Sequence, residues 1–261
     1  MKGIVLAGGL GTRLNPLTKV ASKQLLPVYD KPLIYYPLST LMLANIRDIL
    51  VIAAPNQVKR FRELLGEGED FGLRISYKVQ ENPAGIAESL ILAEEFLEGS
   101  KSALVLGDNL FHGSGLGRRL ETFNNVFGAQ IFGYHVHDPS PYGIATLNNE
   151  GVVTALDEKP KNSKSKIAIP GLYFFDETAP KRARQLKPSP RGELEILDLL
   201  KSYLADAELK LEMLLRGTAW FDSGTFDDLL EAGTYVKLMQ ERTGERVGDP
   251  LEIAKIRGWV N

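Results

Sequence analysis

The sequence has no cysteine in 261 residues, which excludes disulfides, thiolate nucleophiles and cysteine metal sites. It has no excess of either charge. With 31 Lys and Arg against 33 Asp and Glu the formal net charge is −2, so no bulk positive field points to nucleic acid or to an anionic membrane. It has no long apolar run either: no stretch approaches the ~18 apolar residues of a membrane span. The apolar stretch at the start, Ile4 to Ala7, gives way to glycines rather than a cleavage site, so we expect no signal peptide and a soluble, cytoplasmic protein. There is no linker rich in Gly, Ser or Pro, no internal repeat and no low-complexity tract. What remains is 44% hydrophobic and 25% charged, ordinary for a globular chain. The length suits one large α/β domain or two small ones, with about three quarters of the unfolded surface buried.

The first half alternates short apolar runs with amphipathic ones. Strands are expected at Gly3–Ala7, Asp48–Ala53, Arg74–Val79, Ala103–Leu106 and Ala129–Tyr134, and helices at Ile34–Ala44, Gln57–Leu65, Ile86–Phe96 and Leu116–Val126. This alternation reads as βαβ units on a mainly parallel sheet, whose ligand lies beyond the carboxyl ends of the strands. After about residue 135 turns and short strands take over, at Tyr142–Leu147, Val152–Leu156 and Gly171–Phe175. Helices return at Glu177–Leu186, Glu193–Asp206 and Phe226–Thr243. The simplest organisation is one domain with an elaborated second half.

The first strand opens into Gly8, Gly9 and Gly11, followed by Thr12 and Arg13. Such a loop lets backbone N–H groups approach phosphate oxygens, and a guanidinium grips phosphate in bidentate fashion. It fits neither large class of glycine loop. Aligned on Gly9 and Gly11, the dinucleotide fingerprint requires glycine where Leu14 stands, and a Walker A loop requires Gly-Lys where Gly11-Thr12 stands. The loop therefore suggests a phosphorylated small molecule, with a plain glycine turn as the alternative.

Five further clusters carry chemistry. Lys23 is a point charge suited to phosphate, and Gln24 offers a donor and an acceptor to a base edge; the alternative for Lys23 is a surface lysine. Gln80 and Gly85 flank a proline turn between a strand and a helix, where side chain and backbone could meet a nucleobase; taken by itself the segment reads rather as a plain loop with a proline turn. Asp108 and Asn109 follow the buried run Leu104–Leu106, a position suited to a divalent metal or to a cap. Tyr142 and Gly143, with Glu158 and Lys159 downstream, offer acceptors for sugar hydroxyls and a cation for phosphate, or else form a charged turn. Asp222, after Trp220 and Phe221, is either a helix cap or the second carboxylate for the metal of Asp108.

In this order the clusters resemble the sugar nucleotidyltransferase family along nearly the whole chain. The stretch Leu6 to Leu14, with Pro16-Leu17-Thr18 and Lys23, is similar to that family's signature. Its glucose-1-phosphate thymidylyltransferase branch is resembled more closely by Ser22–Pro32, Ile34–Leu43, Gly107-Asp108-Asn109, Gly171–Phe174 and Arg191–Ile196. The resemblance implies a Rossmann-like α/β fold, with a mixed, mostly parallel sheet flanked by helices and a smaller β-rich part. Residues 1–134 would be the mainly nucleotide-binding half and residues 135–261 the mainly sugar-phosphate-binding half of a single domain.

The implied reaction joins dTTP and α-D-glucose 1-phosphate into dTDP-glucose with release of pyrophosphate, the first step towards sugars of the dTDP-L-rhamnose type. It requires Mg2+ and proceeds by in-line attack at the α-phosphorus. Implied roles follow by motif. Arg13 grips the departing phosphates, Lys23 the phosphates at the reacting centre, and Asp108 and Asp222 the Mg2+. Gln24, Gln80 and Gly85 surround thymine, with Gly8, Gly9, Gly11 and Thr12 along the nucleotide. Lys159 holds the sugar phosphate, and Glu158, Tyr142, Gly143, Ile169 and Asn109 complete that side; Glu193 and Glu195 are either functional or structural. Neither nucleic acid nor membrane is an implied partner, and a homo-oligomer, tetramer or dimer, is implied. Two alternatives remain: the same chemistry on UTP or another sugar 1-phosphate, and a non-catalytic sugar-nucleotide-binding subunit, against which the full set of charged residues argues.

The chain departs from the branch in places. Pro170 stands where a residue with a backbone N–H is usual, and proline removes that donor. Glu88-Ser89 replaces Gln-Ala, and Leu197 replaces Thr. Many members continue past the segment resembling Pro250–Asn261, and the resemblance leaves feedback regulation, though not catalysis, open on that account.

Overall fold

The computed structural model describes residues 1–9 and 11–261; Leu10, inside the glycine loop, lies outside the described residues. The chain runs through β1 (Lys2–Ala7), β2 (Pro27–Val28), β3 (Lys31–Pro32), α1 (Tyr35–Leu43), β4 (Asp48–Ala53), α2 (Pro55–Leu65) and β5 (Arg74–Val79). It continues through α3 (Glu88–Leu92), α4 (Glu94–Leu97), β6 (Ser102–Leu106), β7 (Leu110–His112), α5 (Leu116–Glu121), β8 (Ala129–His135), β9 (Gly143–Leu147) and β10 (Val153–Glu158). The remainder is β11 (Ile167–Ala168), β12 (Leu172–Phe175), α6 (Ala179–Arg184), α7 (Ile196–Ala205), β13 (Leu209–Met213), β14 (Ala219–Phe221), α8 (Phe226–Thr243) and α9 (Pro250–Ile256).

Two units interleave along this path. One, the glycine-loop unit, comprises Lys2–Pro83, Val105–Thr122 and Gly217–Asn261; the other, the hairpin unit, comprises Ala84–Leu104 and Phe123–Arg216 together with Met1. In the glycine-loop unit β1 pairs with β4 and β4 with β5, both parallel. Strands β1 and β4 read as near-continuous apolar runs because both faces are covered: Ile4, Val5, Ile49, Val51, Ile52 and Ala53 are fully buried; β5 alternates, with Arg74, Ser76 and Lys78 exposed. The register brings Ala7, Ala53 and Val79 level, so the loops that follow all open on one edge. Helix α2 starts on Pro55, where the missing N–H costs nothing, and buries Phe61 and Leu65 at i,i+4 spacing. Helix α8 starts with a capping box, Thr225 with Asp228, and ends at Gly244 in the left-handed region. It packs Ala232 and Val236 against Val28, Leu33, Tyr36, Leu110 and Val247.

In the hairpin unit β8 is the central strand, antiparallel to β11 and β12 and parallel to β13. Strands β9 and β10 form an antiparallel hairpin whose register shifts between Val153 and Ala155, and β11 also pairs with β9. Phe123, Phe132 and Phe174 pack with ring centroids 5.4 to 6.0 Å apart, an arrangement worth more than its buried area alone.

Differences from the expected elements have local causes. The helix expected over Ile86–Phe96 forms as two short pieces divided at Ala93, and it starts only at Glu88 because Ala84 and Ala87 are engaged by the backbone of Leu194 (Leu194 N to Ala84 O 2.7 Å, Ala87 N to Leu194 O 3.1 Å). The helix expected to reach Val126 ends at Glu121, and Phe123 joins the ring cluster instead. The short ribbon of β7 with β14 carries no periodicity long enough to read in advance, and α9 begins on an Asp249 cap followed by Pro250. No helix among the described residues is long and apolar enough to cross a membrane.

Candidate active site

The edge at which β1 ends collects most of the polar residues singled out in the first half of the sequence. A Cβ on Gly8 would stand 2.0 Å from Oε1 of Gln80, so the side chain that follows β5 lies against the bare backbone that follows β1. Gly107 donates its N–H to Leu6 O at 2.8 Å, and a Cβ there would stand 3.1 Å from Cγ of Gln24. The two amides, Gln24 and Gln80, are 3% and 4% exposed, and buried amides require partners. Ser22 Oγ donates to Gln24 Oε1. The Gly8→Ala variant is expected to expel Gln80 from this edge. If Gln80 reads the nucleotide, KM for the nucleotide rises about tenfold, since a few hydrogen bonds to a substrate are worth ~1–3 kcal/mol. An unchanged KM in steady-state kinetics would remove Gln80 from the base site.

Beyond Gly8 the loop turns at Gly11 (φ 59°), a conformation glycine adopts without penalty. Thr18 Oγ1 donates to Gly11 O at 2.9 Å and fixes the turn. Among the described residues nothing beyond its chain neighbours stands within 4 Å of a Cβ on Gly9. Thr12 and Arg13 follow, both exposed, with the Arg13 guanidinium beside Gly224: a Cβ on that glycine would be 3.1 Å from Nη2.

The centre of the cluster is Lys23. Its side chain is 6% exposed, and Nζ donates to Asp108 Oδ2 at 2.8 Å and to the backbone oxygen of Asp222 at 3.1 Å. An ammonium has three N–H donors, and the third has no partner among the described residues. The antiparallel β7–β14 ribbon brings the two acids near this lysine. Its register pairs Phe221 with Leu110, so Asp222 and Asn109 come next on the same end, with Asp108 adjacent. Burial pushes the Asp222 carboxyl above the ordinary range, the negative charges of Asp228 and Asp108 push it further, and Lys23 acts against them. A buried carboxylate repelled by another carboxylate is a place where a cation is favourable. The donor set fits Mg2+, which takes hard oxygens and is usually held by one or two carboxylates plus substrate phosphates. No cluster of three or more acidic, His or Cys ligands occurs among the described residues, so any ion here would share its shell with substrate or water.

The second group lies in the hairpin unit. Glu158 pairs with Gly143 across β9 and β10, Lys159 N donates to Tyr142 O at 3.0 Å, and Ile169 N donates to Gly143 O at 2.8 Å. All five residues thus form one backbone-linked patch. Lys159 has φ of 44°, uncommon for a residue with a side chain and frequent at functional sites. Its Nζ lies 3.2 Å from Glu158 Oε1. A cavity of about 400 Å³ runs from Glu158 and Lys159 past Arg191 and Glu195 to Asp198 and Lys201. Glu195 accepts from Ser189 Oγ at 2.7 Å and Arg191 Nη2 at 2.9 Å, whereas Glu193 is a looser partner of Arg191 at 3.6 Å. Arg191 is a cavity residue that opens the run Arg191–Ile196 quoted for the resemblance but was given no role there; its i,i+2,i+4 spacing with two glutamates was the available signal. Gly85 (φ 106°) has a packing reason, because a Cβ would stand 2.3 Å from Leu194 O.

Asn109 is 2% exposed, and its side chain engages residues of the glycine-loop unit. It donates from Nδ2 to Asp108 Oδ1 at 2.8 Å and accepts at Oδ1 from Trp220 Nε1 at 2.7 Å.

The profile of the nucleotidyl transferase family matches residues 2–237. Over all 261 residues the chain is 51% identical to the glucose-1-phosphate thymidylyltransferase of Mycolicibacterium smegmatis, covering 91% of that protein. It is also 51% identical to the protein of that name from Xanthomonas campestris pv. campestris, covering 88% of it. A crystal structure from Bacillus anthracis, described as a glucose-1-phosphate thymidylyltransferase in complex with sucrose, superposes with a TM-score of 0.83 at 37% identity, over 90% of this chain and 94% of that one. A UDP-glucose pyrophosphorylase complexed with UDP-glucose shares the fold, with a TM-score of 0.79 at 22% identity over 91% and 98% of the two chains.

Proposed function

The chain belongs to the nucleotidyl transferase family, and from that premise we propose that it is a single transferase domain that moves a thymidylyl group from dTTP to α-D-glucose 1-phosphate. An oxygen of the sugar phosphate forms the new bond to the α-phosphorus. The bond from that phosphorus to the β-phosphate oxygen breaks, and pyrophosphate leaves with the electron pair. No covalent enzyme intermediate is needed, so a chain without cysteine lacks nothing, and catalysis reduces to positioning and charge neutralisation.

The observation that carries this reading is Lys23, buried and fixed by Asp108 Oδ2 and Asp222 O with one N–H to spare. That N–H meets the reacting phosphates. The backbone of Gly8, Gly9, Gly11 and Thr12 follows the triphosphate. Arg13, exposed beside Gly224, neutralises the departing pyrophosphate. Gln24 and Gln80 read the base, and Gly85 lets the chain pass close to it. Asp108 and Asp222 would hold a divalent cation, Mg2+ in this reading, and when bound it draws charge from the phosphate oxygens.

On the sugar side Lys159 binds the phosphate of glucose 1-phosphate. Glu158 accepts from sugar hydroxyls, and the backbone at Tyr142, Gly143 and Ile169 completes the contacts. We place the activity in the cytoplasm, where nucleoside triphosphates are made, and in a homo-oligomer, on the resemblance.

The test is pyrophosphate release measured for dTTP and UTP side by side with glucose 1-phosphate, galactose 1-phosphate and Mg2+. The expected result is a kcat/KM highest for dTTP with glucose 1-phosphate. No release with any pair would overturn the reading, and preference for UTP would reassign the base. Lys159→Ala is expected to raise KM for glucose 1-phosphate about 10- to 100-fold, because a charge-assisted hydrogen bond is worth ~1.5–3 kcal/mol. KM for dTTP should not move; a rise in that constant instead would assign Lys159 to the nucleotide.

A further inference from the structure

We infer that Trp220 is a positioning residue for the cation-binding carboxylate of Asp108, acting through Asn109. The inference rests on the proposed role of Asp108 in holding a divalent cation.

The argument is one of donors and acceptors. The indole N–H can only donate. Trp220 Nε1 lies 2.7 Å from Asn109 Oδ1, so the amide must turn its oxygen to the indole. Its NH2 group then faces the other way, and Nδ2 donates to Asp108 Oδ1 at 2.8 Å. Reversing the amide would oppose two donors at the indole and two acceptors at the carboxylate at once. Trp220 thus fixes an orientation that a solvent-exposed Asn would be free to exchange.

The second oxygen of the same carboxylate, Oδ2, is held by Lys23 Nζ at 2.8 Å. Among the described residues each oxygen of Asp108 therefore has one protein donor. An ionised carboxylate has about four lone-pair positions, so the two remaining positions are presented in one defined plane. Partners of this kind, one bond removed from the ion, orient metal ligands, and their loss typically weakens metal binding about 10- to 100-fold.

The backbone supports the same assignment. Trp220 sits in β14 opposite Phe111 of β7, and Asn109 immediately precedes β7. The ribbon that brings Asp222 near Asp108 also delivers the indole to Asn109, so one pair of strands supplies a carboxylate and the positioning of the other. Asn109 is 2% exposed, so water competes little for its amide.

The experiment compares wild type, Trp220→Phe, Asn109→Ala and the double variant, after circular dichroism shows which are folded. Manganese affinity is read by electron paramagnetic resonance with dTTP present and no sugar phosphate, and KM is measured for glucose 1-phosphate. Trp220→Phe keeps the ring and loses the N–H. It is expected to weaken Mn2+ binding about tenfold with KM for glucose 1-phosphate unchanged. In the Asn109→Ala background it should add nothing, since residues acting in series are not additive.

Unchanged Mn2+ affinity in Trp220→Phe overturns the inference. So does a rise confined to KM for glucose 1-phosphate, which would make the ring a direct sugar contact, and so do additive losses. If Trp220→Phe does not fold, Asn109→Ala alone reads the link to Asp108, and unchanged Mn2+ affinity there overturns it equally. A wild type that binds Mn2+ with the expected sensitivity to both variants, yet turns over no nucleotide, supports the positioning role and overturns the proposed reaction instead.

Discussion

Replacing Asp222 by Asn lowers kcat for pyrophosphate release by about 10²–10³-fold and raises the melting temperature of the metal-free protein. The two effects have one cause. Burial, helped by the negative charges of Asp228 and Asp108, holds this carboxyl above its ordinary pKa in the folded protein. In the unfolded chain it titrates normally. Between the two values the native state binds more protons than the unfolded state, so stability falls as pH rises through that interval. Above it Asp222 is charged in both states, and the full penalty is carried by the fold. Asparagine keeps the shape and removes the charge, hence the gain in stability at neutral pH. The same substitution removes one of the two carboxylates proposed to hold the cation, hence the loss of turnover. Melting curves from pH 4 to 8 with and without Mg2+ test both halves. The gain should shrink as pH falls, because wild-type Asp222 then becomes neutral by itself. A variant less stable than wild type at neutral pH without metal would sink the electrostatic account, and wild-type kcat would remove Asp222 from the site.

Lys23→Met is expected to damage the site in a different way. The methylenes are replaced nearly in kind, but the ammonium that lies on Asp108 Oδ2 and Asp222 O is lost. Hydrogen bonds to charged groups contribute ~1.5–3 kcal/mol, and Asp108 is then left beside a second acid with no cation. Because Asp108 keeps 29% of its side-chain exposure, solvent relieves part of the repulsion, and we expect about 2 kcal/mol lost at neutral pH. Mg2+ should return part of that stability by neutralising the same carboxylates. It should not return activity: kcat is expected to fall about 10³-fold because the N–H proposed to meet the reacting phosphates is gone. Denaturant titrations with and without Mg2+, together with single-turnover rates, separate the two. Near-normal turnover in the variant would show that Lys23 only pairs the acids.

The strands β1 and β4 were legible because each carries a short unbroken apolar run, Ile4–Ala7 and Ile49–Ala53, β5 because Ile75, Tyr77 and Val79 alternate with polar residues, and α8 because of its length. The segments that were misread are those settled by distant partners. Ile86 and Ala87 read as a helix start, yet Ala87 N donates to the Leu194 backbone and the helix begins at Glu88. The strands β7 and β14 have three residues each, too few for a period, yet their pairing brings Asp222 near Asp108. For Asn109 the resemblance implies a contact on the sugar-phosphate side, and its neighbours in the fold add a second direction. Only the position of Trp220, 111 residues away, shows that the Asn109 amide is directed at Asp108.

By itself the sequence determined the chemistry available: a phosphate-seeking loop, a set of charged residues in the order of a nucleotidyl transferase, and no thiol. Residue types and local spacing suffice for that, because the glycine loop ending in Thr12-Arg13, ambiguous alone, is followed in order by Lys23, Asp108, Lys159 and Asp222. Tertiary structure alone decided which of those charges face one another. Lys23 is set on Asp108 and Asp222 by strand register, and Gln80 on Gly8 by the levelled ends of β1, β4 and β5. Glu158 is set on Gly143 by a hairpin whose register shifts partway along. Register and burial depend on contacts across tens to hundreds of residues, and they determine which carboxylate carries a raised pKa and which amide is turned to meet another.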